Sequence, residues 1–394
     1  MHIEQLRLEE FRQYRRQEID IPDSGLAIFG ANASGKSTLM EAIAFLSTTR
    51  SPRTSVDREM IGWESGAEFG FPPFSRISAT VQQARESISI EIGLFLDHAD
   101  ATTVKKQIKL NGRPVRASTV VGQLRSVLFT PEDVSLITGP PSDRRRYLDL
   151  TICQLDSAYM KALSSYTRVL SQRNSLLKQF ARDGVPSTSP AAIGQLAFWD
   201  EQLVNSGSLI FLRRAQTMLK LDELACSEYR ALDGGTLGLS YRPELKAFPG
   251  HAATSREEIA LAMRESLEAR RKDEIKRGAT LMGPHRDDLA IVIDGRDAGS
   301  FASRGQQRLA VLAMKLAEAK LMAEVGGEAP IVMLDDILSE LDERHRGLVL
   351  ETASAMQSQL LISSTDERLL DAPIVRDLPR RRVESGCLLD VSVH

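Results

Sequence analysis

The run Gly30-Ala31-Asn32-Ala33-Ser34-Gly35-Lys36-Ser37 spaces two glycines ahead of a lysine and a hydroxyl, the arrangement G-x-x-x-x-G-K-[ST] that wraps the phosphates of a nucleotide. The glycines let successive backbone N–H groups curl around a β-phosphate, the lysine balances the β/γ charge, and the serine hydroxyl can coordinate Mg²⁺ at a helix N-terminus. Thr38 continues the same first turn. Residues 26–29 are an apolar run and 39–46 have a helical pattern, so the motif stands in the strand-loop-helix context that its chemistry requires. Residues 30–38 are therefore expected to hold ATP, with Lys36 acting on the phosphoryl oxygens and Ser37 on the metal.

A second set of candidates lies near the other end of the chain. Ile331-Val332-Met333-Leu334-Asp335-Asp336 is an apolar run closed by two carboxylates, the way a buried central strand delivers an acid to a metal-bound nucleotide. Asp335 is expected to share Mg²⁺ with Ser37, and Asp336 to orient or deprotonate the attacking water. Ser303-Arg304-Gly305-Gln306-Gln307-Arg308 opens an amphipathic pattern through Leu309, Leu312, Leu316 and Met322. Its N–H groups, the Ser303 hydroxyl and the Gly305 amide suit a phosphate, although the segment read alone describes an ordinary capped helix equally well.

These residues need a scaffold, and the periodicities outline one. Ile88, Ile90, Ile92, Leu94 and Leu96 alternate as a half-buried strand does, and Asn111-Gly112 between 108–110 and Val115 suits a tight hairpin. Beyond Pro140-Pro141 the step becomes three and four through Leu148, Ile152, Leu155, Tyr159, Leu163, Tyr166 and Leu170. That spacing predicts one long helix capped by Ser142 and Asp143 and reversed by the loop 183–190. A second helix follows with Leu196, Trp199 and Leu203 on one face, and helical character continues with interruptions to about residue 277. Strand patterns return at 289–293 before Asp294-Gly295, at 331–334 and at 360–363.

Bulk properties set limits. The chain has 394 residues, 42% of them hydrophobic, and a formal net charge of -3, which excludes a disordered chain and one that binds nucleic acid through its whole surface. Local basic clusters remain as candidates for phosphate contact: Arg144-Arg145-Arg146, Arg270-Arg271-Lys272 with Lys276-Arg277, and Arg380-Arg381-Arg382. Any one of them is more often simply a solvated face. The three cysteines fit neither a disulfide framework nor a zinc site. No apolar run is long enough to cross a bilayer and the start lacks the layout of a secretion signal, so a cytoplasmic protein with no membrane partner is expected.

The order of phosphate loop, Ser303 segment and double aspartate resembles that of ABC-type ATPases, with residues 303–308 as the signature motif and Ser339-Glu340-Leu341-Asp342 similar to the loop that crosses between two sites. The resemblance implies an α/β fold: an ABC-type ATPase head, a mixed sheet around the phosphate-loop core, made from residues 1–135 and 281–394. A helical arm, 136–280, is inserted between them. It also implies that Ser303, Arg304, Gly305 and Gln306 of one copy close over the triphosphate held by another, in a head-to-head homodimer. The helical insert is too short for the long coiled coils of chromosome-maintenance ATPases and the spacing too long for a transporter subunit.

Nearly end to end, the chain is similar to the RecF family of bacterial recombination mediators. The likeness is carried by Phe11-Arg12-Gln13-Tyr14, the phosphate loop, Leu46-Ser47-Thr48, Arg50-Ser51-Pro52-Arg53-Thr54, Leu110-Asn111-Gly112-Arg113-Pro114-Val115 and Phe129-Thr130-Pro131-Glu132-Asp133. It continues in Arg144-Arg145-Arg146-Tyr147-Leu148-Asp149, Gly283-Pro284-His285-Arg286-Asp287-Asp288, 303–308 and 334–342. The resemblance implies an ATP-dependent dimer that binds DNA at gaps and junctions of single and double strands. It further implies work with RecR and RecO in loading RecA, and a weak, DNA-stimulated ATPase. By position in the family, Arg12 and Tyr14 would stand beside the base or sugar, and Arg53 and Thr54 would face nucleotide or DNA. Plain surface roles suit these four equally, and His285 and Arg286 could simply fix a turn. The chain departs from most ABC ATPases in having Asp336 where glutamate is usual, Ser364-Thr365-Asp366 where a histidine is usual, and Glu132-Asp133 in place of a glutamine loop. Those departures point to slow turnover. The alternative kept open is an ATPase subunit partnered with a nuclease.

Overall fold

Among the described residues the chain forms fifteen strands, most of them from apolar patterns that are either alternating or continuous. β1 (His2–Phe11), β2 (Tyr14–Asp20), β3 (Gly25–Phe29), β4 (Phe74–Gln82), β5 (Ser87–Leu96), β6 (Val104–Leu110), β7 (Arg113–Pro114) and β8 (Ser126–Phe129) come first. β9 (Leu237–Arg242), β10 (Asp288–Ile293) and β11 (Arg296–Asp297) lie in the middle of the chain, and β12 (Ile331–Asp335), β13 (Leu360–Ser364), β14 (Arg380–Glu384) and β15 (Cys387–Asp390) close it. The computed structural model describes residues 1–66, 70, 72–97, 103–246, 248 and 255–390.

Two compact units result, one of Met1–Asp133 with Val311–His394 and one of Val134–Ala310. The first unit contains two six-stranded sheets. One, in the order β2-β1-β4-β5-β6-β7, is antiparallel throughout, and its strand β4 buries every second residue. Asn111 and Gly112, at φ 51 and 75, make the tight turn between β6 and β7. The other sheet, β15-β14-β3-β13-β12-β8, is parallel except for β15. Its central strands β12 and β13 are buried along their whole length, because a parallel strand covered on both faces has no polar side.

Helix α1 (Lys36–Thr48) supplies much of the packing between these layers. Its Leu39, Ile43, Phe45 and Leu46 join Leu6, Leu8, Ile77, Ile90, Met333 and Leu361 in one apolar cluster, and fully burying each such side chain contributes about 1.5–3 kcal/mol. Gln359 ties the sheets at a second place. Its side-chain oxygen accepts from the Ile3 amide at 2.8 Å while its amide group donates to the carbonyls of Ile3 and Pro22.

The second unit is built on helices α2 (Pro141–Leu155), α3 (Ser157–Asp183), α4 (Pro190–Asp233) and α5 (Arg256–Arg277). The single helix expected after Pro141 is two: Asp156 adopts extended backbone and its carboxylate caps the amides of Ala158 and Tyr159, at 2.8 and 3.0 Å, to start α3. Helix α2 begins at Pro141 rather than on a Ser142 or Asp143 cap, since proline fits the first helical position without losing a hydrogen bond. Gly184 ends α3 in the left-handed conformation, as the loop 183–190 required.

Residues 281–310, expected with the head, group with the second unit instead. β10 pairs antiparallel with β9 from Asp288↔Arg242 to Ile293↔Leu237, so the strand is held by a partner that the helical reading of 196–277 had missed. Helix α6 (Arg304–Gly326) starts within this unit, and α7 (Glu343–Ala355) follows in the first unit.

Candidate nucleotide-binding site

β3 ends where the phosphate loop begins, and the loop ends where α1 begins. Gly30 and Gly35 have φ 158 and 124, and a Cβ on Gly35 would lie 3.0 Å from the Tyr14 hydroxyl. Glycine is therefore required there on both conformational and steric grounds. The turn between β1 and β2 buttresses the loop: Tyr14 Oη donates to the Gly35 carbonyl at 3.0 Å, and Gln13 Oε1 accepts from Thr38 Oγ1 at 3.1 Å. Burial keeps the Tyr14 phenol protonated by pushing its pKa far up. Among the described residues no side chain caps the N-terminus of α1, and none gives the buried Ser34 hydroxyl a hydrogen bond. A loop with a free helix N-terminus and an orphaned hydroxyl fits a phosphate group.

Lys36 donates to the carbonyls of Gly30 and Ala31 at 2.8 and 2.9 Å. Burial pushes its pKa below the ordinary lysine value, while Asp336 and Asp335 act in the opposite direction. Ser37 Oγ donates to Asp335 Oδ1 at 3.0 Å, joining residues 298 positions apart. Ser363 Oγ donates to the same oxygen at 2.6 Å. Burial raises the Asp335 pKa, and the Ser363 and Ser37 hydrogen bonds oppose it. Asp335 is thus held in hydrogen bonds by two neutral hydroxyls, and a hydroxyl with a buried carboxylate is a hard-oxygen donor pair that fits Mg²⁺.

Asp336 sits in the left-handed region at φ 52. Its amide donates to both the carbonyl (3.2 Å) and the hydroxyl (3.0 Å) of Ser363, and its Oδ1 accepts from the Thr365 amide at 3.3 Å. Ser363, at the end of β13, therefore fixes both aspartates, and Thr365, in the segment that replaces the usual histidine, adds a bond to Asp336. Ser363 joins this site without being among the residues expected from the sequence, and only its place at the end of an apolar strand hinted at it.

Sequence reasoning also left Arg12 and Arg53 open between nucleotide and surface. Arg12 pairs with the buried carboxylate of Glu41 at 2.6 Å, and Arg53 lies 3.8 Å from it. The signature candidates belong to the second unit. Ser303 Oγ accepts from the Gln306 amide at 3.2 Å and Gln306 Oε1 accepts from the Ser303 amide at 3.0 Å, a reciprocal cap that opens α6. Ser303, Arg304 and Gly305 are exposed.

Most arginines of the basic clusters are engaged within the chain. Arg144 grips Asp288 with two bonds of 2.7 and 3.0 Å, and Arg145 donates to the Asp287 carbonyl at 2.7 Å. Arg270 pairs with Glu244, Arg380 with Asp371, Arg381 with Asp390 and Arg382 with Glu384. Lys272, Lys276 and Arg277 are exposed. The segment 283–288 is a fastening of the second unit. His285 Nδ1 is 2.8 Å from Tyr166 Oη, and Asp287 takes Arg214 and the Tyr241 hydroxyl. Burial pushes the His285 pKa down to about 4 and that of Asp287 up to about 6.

Comparison with known proteins places these features. The model of the RecF/RecN/SMC N terminal domain matches residues 2–375. The DNA replication and repair protein RecF of Thermomicrobium roseum is 41% identical over 98% of this chain and 99% of its own length. That of Chloroflexus aggregans is 40% identical with the same coverage. Among solved structures, the recombination mediator protein RecF-ATPrS of the RecFOR pathway superposes with TM-score 0.86 at 28% identity over 99% of this chain and 98% of that one. The corresponding RecF-ATP structure gives 0.83 at 27%, covering 99% of each chain. An Smc head bound to the C-winged helix domain of ScpA shares the fold, with TM-score 0.54 at 16% identity over 100% of this chain and 98% of that one.

Proposed function

Since the chain belongs to the RecF family of DNA replication and repair proteins, with the fold of an SMC-like ABC ATPase, we propose that it is an ATP-driven DNA clamp that closes when two copies pair. ATP enters the loop 30–38, and the triphosphate takes over the lysine, which leaves the Gly30 and Ala31 carbonyls for the β/γ oxygens. Ser37 and Asp335 would hold Mg²⁺, which would supply positive charge to offset the negative charge of the triphosphate. Asp336, fixed from both sides by Ser363 and Thr365, orients the attacking water. Its side chain is one methylene shorter than the usual glutamate, which suits slow turnover and a timed release.

The observation that carries the reading is the Ser37–Asp335–Ser363 chain of bonds, 3.0 and 2.6 Å long, which brings hydroxyl and carboxylate donors to the foot of a phosphate loop. The exposed N-terminus of α6 supports the second half of the proposal: Ser303, Arg304, Gly305 and Gln306 of one copy contact the γ-phosphate bound to its partner. ATP then drives pairing because the trans contact exists only in the closed state. Family membership supports DNA as the cargo, at gaps and single-to-double-strand junctions, and RecR and RecO as partners in loading RecA. A DNA cargo puts the proposed site of action in the cytoplasm; among the described residues no helix is long and apolar enough to cross a membrane.

Light scattering without nucleotide, with ADP-Mg²⁺ and with ATP-Mg²⁺ tests the clamp. A mass that doubles only with ATP, and not in Ser303→Arg, is the expected result. A chain that hydrolyses ATP yet stays monomeric would overturn the clamp in favour of an ATPase that depends on another partner.

A further inference from the structure

Glu41 lies on α1 one turn after Ser37, on the same face of the helix, and is fully buried. A buried carboxylate is costly unless it is paired and hydrogen-bonded, and Glu41 is both. Arg12 approaches its two oxygens at 2.7 and 2.6 Å, and Ser51 Oγ donates to Oε1 at 2.5 Å. The same Ser51 oxygen accepts from the amides of Arg53 and Thr54, at 3.0 and 3.1 Å. One carboxylate thus fastens three segments: the turn after β1, the helix that carries Ser37, and the loop 51–54.

The charges do not cancel. Arg53 lies 3.8 Å from Glu41 with half its side chain exposed, so two guanidiniums share one carboxylate and a positive charge is left over. Arg12, with the short two-point contact, claims Glu41. We infer that Glu41 is a positioning residue of the nucleotide site: it locks Arg12 and the 51–54 loop so that Arg53 stands as the surplus cation against the helix that carries Ser37, one turn from that hydroxyl. The inference rests on the ATP-binding reading above. Glu41 touches no phosphate itself and acts through Arg53.

A double-mutant cycle on the full chain tests this, with ATP-Mg²⁺ affinity measured by calorimetry alongside kcat and KM for hydrolysis. Glu41→Gln and Arg53→Ala are each expected to lower kcat/KM roughly 10–100-fold, the range for losing a partner that orients a direct ligand. The double variant should lose no more than the worse single one. A merely structural Glu41 would lower the melting temperature and the active fraction while leaving KM and the coupling to Arg53 unmoved, and additive losses would overturn the inference. If Glu41→Gln does not fold, Ser51→Ala takes its place, because it keeps the charge and cuts the tether to the loop. A non-additive cycle with Arg53→Ala then supports the role and an additive one refutes it. A wild-type chain that fails to bind ATP would instead sink the nucleotide reading, which separates the two failures.

Discussion

Replacing Ser363 by alanine removes a single oxygen that serves both aspartates. The lost bonds are a 2.6 Å donation to the buried Asp335 carboxylate and a 3.0 Å acceptance from the Asp336 amide. A hydrogen bond to a charged group is worth about 1.5–3 kcal/mol. Ser37 still donates to Asp335 and the Ser363 carbonyl still accepts from Asp336 at 3.2 Å, which puts the loss at the low end, about 10-fold at 1.4 kcal/mol per decade. Single-turnover ATP hydrolysis as a function of Mg²⁺ concentration reads the effect, and the half-saturating concentration should rise by that factor. Because the Ser363 bond opposes the burial that raises the Asp335 pKa, its removal raises that pKa further, and the defect should grow as pH falls. Ser364→Ala is the control, since the Ser364 hydroxyl bonds to the Asp366 carbonyl. A Ser363→Ala half-saturation within twofold of wild type, or an equal shift in Ser364→Ala, would refute the reasoning.

The second unit yields two expectations. Arg173 is fully buried and bonds Asp200, Glu274 and Thr280, with Glu274 equally buried. Arg173→Met strands that carboxylate, so the first unfolding transition in urea should lose about 3–5 kcal/mol. A loss below about 1 kcal/mol would contradict the assignment. His285 has a folded pKa depressed to about 4 from 6.5. Its contribution to stability is present above 6.5 and is lost as pH falls toward 4, at up to about 1.4 kcal/mol per pH unit. His285→Gln should therefore flatten the difference in stability between pH 6.5 and 4 seen in denaturation curves, and parallel curves for the two proteins would exclude it.

What could be read from the sequence was local. The phosphate loop, the strand 331–335 and the Ser303 cap each draw their geometry from residues a few positions apart, and spacing reports that directly. The break at Asp156 was hidden because a cap inside a continuing apolar stripe leaves the three-four period intact. β9 escaped for a similar reason, as a six-residue strand lies between two helical patterns and declares itself only through its partner β10. Ser363 and Glu41 were invisible for a different reason. Their partners, Asp335 and Asp336 for the first and Arg12 and Ser51 for the second, come from separate segments that meet only in the folded chain. The basic clusters show the converse, since a run such as Arg144-Arg145-Arg146 looks available until Asp288 and the Asp287 carbonyl are seen to hold two of its members.

β3 lies between β13 and β14. A ribosome therefore completes the phosphate loop long before it makes either strand that flanks it. At about 5–20 residues per second, the nascent β3 waits on the order of tens of seconds with both edges unsatisfied. Edges of that kind are templates for pairing with other chains. The arrangement that draws two distant parts of the chain into one unit thus makes its biosynthesis vulnerable in between, and a truncated translation product would carry the nucleotide loop on an unprotected strand.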